Sequence, residues 1–221
     1  MNYKRITLLA GHYGSGKTNI AVNMALDLKK SHANTAIADL DIVNPYFRTL
    51  DSKVELENAG IRLIVSPYAN SSLDIPALPQ DMYAIVDDTS MYSIIDVGGD
   101  DRGALALGRL SGMIREENNY DMFLVINKYR PLTPDGQSVK EVKDEIEAAG
   151  RLKFTGIINN SNLGAETDAQ CVLNSLAFAE EVSQICGLPI IATSVEESLY
   201  NELSGKIGNL FPMKLQKRPV D

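Results

Sequence analysis

Ile6-Thr7-Leu8-Leu9-Ala10-Gly11-His12-Tyr13-Gly14-Ser15-Gly16-Lys17-Thr18 decides the fold of this chain. A short apolar, β-prone run leads into a stretch that fits G-x-x-x-x-G-K-[ST], and a helix-periodic segment follows at once. Glycines at 11, 14 and 16 let the backbone curl so that successive N–H groups point inward, Lys17 adds a point charge, and the amino end of the next helix adds a partial positive charge. This context predicts a polyphosphate cradle built from Gly11, Gly14, Ser15, Gly16, Lys17 and Thr18, with Asn19 beside it on the helix. The Thr18 hydroxyl suits a magnesium ion that bridges the outer phosphates.

Working outward, residues 17 to 30 place Ile20, Met24 and Leu28 at i, i+4 and i+8 with Ala21 and Ala25 beside them, an apolar stripe that ends in Lys29 and Lys30. Further apolar runs recur at Thr35 to Ala38, Ile61 to Val65, Tyr92 to Ile95, Met122 to Ile126, Phe154 to Ile158 and Ile190 to Ala192. They lack polar alternation, as strands buried on both faces of a parallel sheet do. Helix-length segments separate them near 103 to 117, 134 to 149, 166 to 185 and 196 to 206, with Thr133-Pro134 as a start signal and Gly150 as a stop. Alternation of this kind predicts an α/β fold with a doubly wound, mostly parallel sheet of about seven strands, its ligands gathered at the carboxyl strand ends. Pro67 to Gln80 is the longest irregular stretch and is expected to carry function or to move.

The chain has 221 residues, which suits one domain over 1–221. Its 21 basic and 29 acidic residues leave a net charge of -8, which opposes a broad phosphate-backbone footprint and argues against non-specific DNA binding. Cys171 and Cys186 are too few for a disulfide framework or a four-ligand zinc site within one chain, and read as reduced thiols. The apolar run before Gly11 is too short for a signal-peptide core and no stretch is long enough to span a bilayer, so a cytoplasmic location is expected. Lys206 to Arg218 is basic and partly apolar, faintly like a membrane-touching helix, but Pro212 interrupts it and membrane binding is not expected.

Metal-assisted phosphoryl transfer also needs a carboxylate near magnesium and a group that orients water. Ser93-Ile94-Ile95-Asp96-Val97-Gly98-Gly99 leaves a buried strand with an acid followed by two glycines, which makes Asp96 the metal-side carboxylate. The second strand ends Ala38-Asp39-Leu40-Asp41, and Asp41 is assigned to positioning water and to the metal's surroundings. Either acid taken alone also suits the capping of a turn. Asp39 either hydrogen-bonds behind these groups or merely ends its strand. Lys17 and Asp41 are thus the candidate catalytic residues, and Thr18, Asp96 and Asp41 the candidate metal-side residues.

The phosphate loop, the strand end Asp39-Leu40-Asp41 and the I-I-D-x-G-G run resemble those of the MinD/ParA family of P-loop ATPases, within the class that includes nitrogenase iron protein. The resemblance covers most of the chain. It implies the P-loop NTPase fold with the Asp96 strand beside the loop strand, ATP and Mg2+ as ligands, hydrolysis that drives ATP-dependent homodimerisation or release of a protein partner, and Asp41 in the water-orienting switch. Most members carry a lysine directly after the first loop glycine that reaches the partner's nucleotide; here that position is His12, shorter and largely neutral at pH 7. The trans-lysine sandwich therefore does not carry over, although Arg48 or Arg102 near the switches are candidate substitutes. For His12 both a phosphate contact and the absence of any chemical role stay open. No cysteine lies near 97 to 135, where iron–sulfur members hold a cluster, and with only two histidines a metal cargo site has no support.

Asn127-Lys128-Tyr129-Arg130 looks like the guanine motif N-K-x-D without its acid. Guanine needs a carboxylate to accept its N1 and N2 hydrogens and Arg130 has only donors, so GTP is disfavoured. In the resembling family an asparagine after the sixth strand contacts adenine; of Asn159 and Asn160, Asn160 fits the spacing from Gly156 better, and its amide both donates and accepts as adenine requires, although either asparagine also suits the start of a loop turn. The expected function is a Mg-dependent ATPase that acts as a nucleotide-driven switch on an unidentified protein partner. Two alternatives are a small-molecule kinase or ATP-dependent ligase with Pro67 to Gln80 as its acceptor loop, and a nucleotide-gated binding protein with negligible hydrolysis.

Overall fold

The computed structural model describes residues 1–40, 52–65, 80–98 and 101–215. Seven strands lie where the apolar runs predict: β1 (Ile6–Ala10), β2 (Thr35–Asp39), β3 (Arg62–Val65), β4 (Tyr92–Asp96), β5 (Tyr120–Ile126), β6 (Gly156–Asn159) and β7 (Ile190–Glu196). An eighth, β8 (Leu210–Met213), pairs with β7. Among the described residues the sheet is parallel throughout, in the order β3-β2-β4-β1-β5-β6-β7-β8. The chain leaves β1 for one edge, returns to insert β4 between β2 and β1, and then builds outward from β5, so β1 is where the winding changes direction. A ligand site is expected outside the carboxyl ends at such a switch point.

Alternate residues of each strand feed two separate cores, which explains why the runs are apolar throughout. Leu8, Ile95, Leu124 and Ile157 pack on one face with Leu107 and Leu110 of α4 (Asp101–Glu117), Ile146 of α5 (Gly136–Gly150) and Phe178 of α7 (Leu176–Cys186). Leu9, Ile94, Phe123, Val125 and Ile158 pack on the other with Ile20, Met24 and Leu28 of α1 (Lys17–Lys29). A one-residue slip of any central strand would exchange its two sets and misfit both helical layers.

Several sequence expectations are corrected. The sheet has eight strands where about seven were expected, because residues 210 to 213 form an ordered edge strand. Pro212 is exposed there and tolerated because an edge strand has neighbours on one side only. Phe211 and Met213 point into the α1-side core, and Asn23 of α1 clasps the following backbone, its Nδ2 donating to Lys214 O (2.9 Å) and its Oδ1 accepting from Lys214 N (2.9 Å). The expected helix over 166 to 185 divides at Ser175 into α6 (Ala169–Asn174) and α7, the buried Ser175 hydroxyl being held between Val172 O and Asn159. Asp135, not Thr133, caps α5: its carboxylate accepts from Ser138 N (2.8 Å) in a capping box. At the other end the left-handed position falls on Arg151, one residue past Gly150. Two short helices were not expected, α2 (Lys53–Asn58) and α3 (Gln80–Asp87); each buries only a residue or two, Leu56 in the first and Met82 and Ile85 in the second. The last short helix is α8 (Glu197–Leu203). No helix among the described residues is long and apolar enough to cross a membrane.

Candidate functional site

Sheet order brings the carboxyl ends of β2, β4, β1, β5 and β6 side by side, and the phosphate loop lies between the tip of β1 and the start of α1. Gly11, Gly14 and Gly16 all have positive φ, at 148°, 77° and 88°. Gly11 is where the loop leaves the sheet: a Cβ there would sit 2.4 Å from Val125 O, so only glycine lets the backbone pass β5. Gly16 is the left-handed residue that starts α1, and a Cβ there would sit 2.2 Å from Asn160 Nδ2. Both positions join a backbone conformation that side chains resist to a packing distance that excludes them.

Lys17 is buried, and its ammonium curls back into the loop to donate to Gly11 O (3.1 Å) and His12 O (3.3 Å). Thr18 Oγ1 donates to Asp96 Oδ2 (2.5 Å), which joins the first turn of α1 to the acid at the end of β4. Asp39 ends β2 in register with Asp96, so a second buried acidic residue stands on the adjacent strand, and Leu40 N donates to Asp96 O (2.8 Å). Asn19 lies half-buried in the first turn of α1, with its carbonyl accepting from Asn23 Nδ2 (2.8 Å). His12 Nδ1 lies 2.9 Å from Tyr13 O. Asp41 and Arg48, the Arg102 side chain and residues 67 to 79 of the irregular stretch lie outside the described residues.

The donor set fits the polyphosphate and divalent cation that the motif implies. Ser15 Oγ is buried with no hydrogen-bond partner among the described residues, an orphaned hydroxyl in the loop itself. Such a group is costly unless a ligand or water completes it. Thr18 and Asp96 offer a hydroxyl and a carboxylate, the hard oxygen donors that magnesium takes together with phosphate oxygens and water. Among the described residues no group of three or more His, Cys, Asp or Glu side chains is placed to hold a metal ion.

Asn160 follows β6 and is buried against the loop. Its Nδ2 donates to Ser15 O (2.6 Å), and its Oδ1 accepts from Ser194 Oγ (2.6 Å) on β7. Three strand ends are thereby fastened through one amide. Ser194 was not anticipated, since no local motif marks it and only the order β6-β7 brings it to Asn160. Asn159 points elsewhere, holding Ser175 Oγ (2.9 Å) and Ser161 Oγ (2.7 Å). The first three residues of the tetrad that imitates a guanine motif are engaged within the fold: Asn127 Oδ1 accepts from Tyr129 N (3.0 Å) and Asn162 N (3.3 Å), Lys128 Nζ donates to Asn174 O (2.7 Å), and Tyr129 OH to Cys171 O (2.7 Å).

The description CobQ/CobB/MinD/ParA nucleotide binding domain matches residues 6–170. Among solved structures, FtsY from Mycoplasma mycoides is 17% identical at a TM-score of 0.57, over 87% of this chain and 60% of that one. The signal recognition particle 54 kDa protein from Aeropyrum pernix K1, in complex with GDP, is 17% identical at a TM-score of 0.53, over 86% of this chain and 41% of that one. At such identities the likeness concerns the fold, and this chain spans about 60% or less of the length of those proteins. A comparison with curated proteins by sequence finds no match.

Proposed function

Because the chain belongs to the CobQ/CobB/MinD/ParA nucleotide-binding family, we propose that it is a magnesium-dependent ATPase whose nucleotide state switches its engagement of a protein partner. The observation that carries this is the Thr18 Oγ1–Asp96 Oδ2 bond of 2.5 Å. It joins the helix that follows the phosphate loop to the strand that leads into Gly98 and Gly99, so a change at the phosphates would reach the switch through one hydroxyl.

The loop amides and Lys17 bind and orient the phosphates, and Lys17 would exchange its bonds to Gly11 O and His12 O for phosphate oxygens. Thr18 and Asp96 would hold magnesium, which would supply charge neutralisation at the outer phosphates. Asp41 would orient the attacking water. Adenine is favoured over guanine because Asn127 and Lys128 are committed to the fold and no acid stands at Arg130. Asn160 keeps a second amide hydrogen for a base after donating one to Ser15 O. ADP would leave the same cradle, and an ATP-dependent homodimer is compatible with it.

The test is phosphate release from Mg-ATP, without any acceptor, by the unaltered protein and by Lys17→Ala and Asp41→Ala. Turnover is expected in the first and a loss of roughly 100-fold or more in both variants. Unchanged hydrolysis in either variant defeats the role assigned to that residue, and release only on addition of an acceptor would make the protein a kinase or ligase.

A further inference from the structure

Arg130 has the wrong chemistry for guanine, yet its side chain lies against the phosphate loop. A Cβ built on Gly14 would sit 3.4 Å from Arg130 Nε, 3.5 Å from Cζ and 3.7 Å from Cδ. The backbone beneath the arginine is pinned: Arg130 N donates to Asn127 O (3.2 Å) and Thr133 N donates to Arg130 O (3.2 Å), with Asn127 and Thr133 both buried. Its neighbours Lys128 and Tyr129 are spent on α6 and its end, at Asn174 O and Cys171 O. Arg130 itself is exposed, and its guanidinium has no hydrogen bond or ion pair among the described residues. A rigid turn thus carries five unused donors to the wall of a cradle built for a polyanion.

Position adds to this. Arg130 follows β5, whereas Asp96 ends β4, and β1 with its loop stands between those strands. The guanidinium therefore approaches the loop from the side opposite the metal-side acid. Guanidinium is suited to that task, since its planar fork donates two parallel bonds to phosphate.

We propose that Arg130 is a nucleotide-binding residue acting in cis, its guanidinium donating to phosphate oxygens of the nucleotide held in the loop. This rests on the loop being a nucleotide site. It places a second cation beside Lys17 within one chain, in a protein that has His12 where a lysine would otherwise reach across from a partner subunit.

The experiment is a calorimetric titration of Mg-ATP and Mg-ADP into the full chain and into Arg130→Met, Arg130→Lys, Arg130→Ala and Lys17→Ala. Methionine keeps an aliphatic stem against Gly14 and removes the donors. Affinity for both nucleotides is expected to fall roughly 10- to 100-fold in Arg130→Met and Arg130→Ala, and by less in Arg130→Lys, with ligand-free melting temperatures unchanged. Guanidinium ion at low millimolar concentration is expected to restore part of the affinity of Arg130→Ala, which a purely structural arginine would not permit. Affinity preserved in Arg130→Met, or lost together with the melting temperature and not rescued, overturns the assignment. If the unaltered protein binds nucleotide, Lys17→Ala does not and Arg130→Met still does, only the role of Arg130 falls; if the unaltered protein binds neither nucleotide, the nucleotide site falls with it.

Discussion

Replacing Gly16 by alanine puts two separate costs on one atom, and a double-mutant cycle with Asn160 separates them. The φ of 88° and ψ of 23° are left-handed, which costs an alanine roughly 1–2 kcal/mol. The new Cβ would stand 2.2 Å from Asn160 Nδ2, so the amide must leave Ser15 O and Ser194 Oγ. All three residues of that clasp are buried, and each group left unsatisfied costs roughly 1–3 kcal/mol. Gly16→Ala should therefore lose roughly 3–8 kcal/mol and Asn160→Ala, which forfeits the same two bonds, roughly 2–6 kcal/mol. In the Asn160→Ala background the clash is gone and Gly16→Ala should cost only the roughly 1–2 kcal/mol of backbone strain. The chain has no tryptophan, so urea unfolding of the ligand-free protein is best followed by far-UV circular dichroism. Effects that add to within about 0.5 kcal/mol, or a cost below about 1 kcal/mol for Gly16→Ala alone, would refute the idea that Asn160 sets the shape of the loop.

Three further outcomes are expected. Arg5 is buried and donates through Nη1 to Ile85 O (2.8 Å), Asp88 O (3.3 Å) and Met91 O (3.0 Å) while its Nε and Nη2 bond Glu117; Arg5→Leu should destabilise by roughly 3–5 kcal/mol in urea unfolding, and Glu117→Gln by much less because the carbonyls keep their donor. Burial of Glu147 opposes its ionisation, but Lys153 (2.6 Å), Phe154 N (3.0 Å) and Lys143 (3.2 Å) outweigh that and hold its carboxyl below its usual range. Its stabilisation is then complete above the ordinary glutamate value and disappears as pH falls through the lower folded value, so the stability gap between wild type and Glu147→Gln, measured by urea midpoints, should close on going from about pH 6 to pH 3; a pH-independent gap would contradict this. Phe211→Ala should cost about 3 kcal/mol if β8 is an integral strand, whereas a change within about 0.5 kcal/mol would mean that residues 210 to 213 pack on nothing.

Local signals were legible wherever one short segment held the whole of the physics. Six of the strands declared themselves because central strands of a parallel sheet are apolar on both faces, and β3, at one edge, kept a short apolar run of its own. The loop declared itself because a phosphate cradle needs glycines and a lysine at fixed spacing along one turn. β8 was hidden for the opposite reason: with a proline, a polar flank and few residues it has no periodicity of its own, and is a strand only because β7 offers an edge and α1 offers Asn23. α2 and α3 were too short for a stripe to form. Ser175 divides a segment whose pattern reads as continuous, because Asn159 from β6 takes its hydroxyl.

By itself, then, the sequence determined the α/β class, the position of the phosphate loop, and the acids that end β2 and β4, since each depends on residues near one another in the chain. Tertiary structure alone decided what those pieces meet. It set β4 against β1, so that Thr18 reaches Asp96 across 78 positions, and it brought Asn160 and Ser194 together beneath Ser15. It also laid Arg130 along Gly14. The physical reason is that strand order in a parallel sheet is fixed by which crossovers bury their helices, an energy summed over two whole layers and written in no single motif.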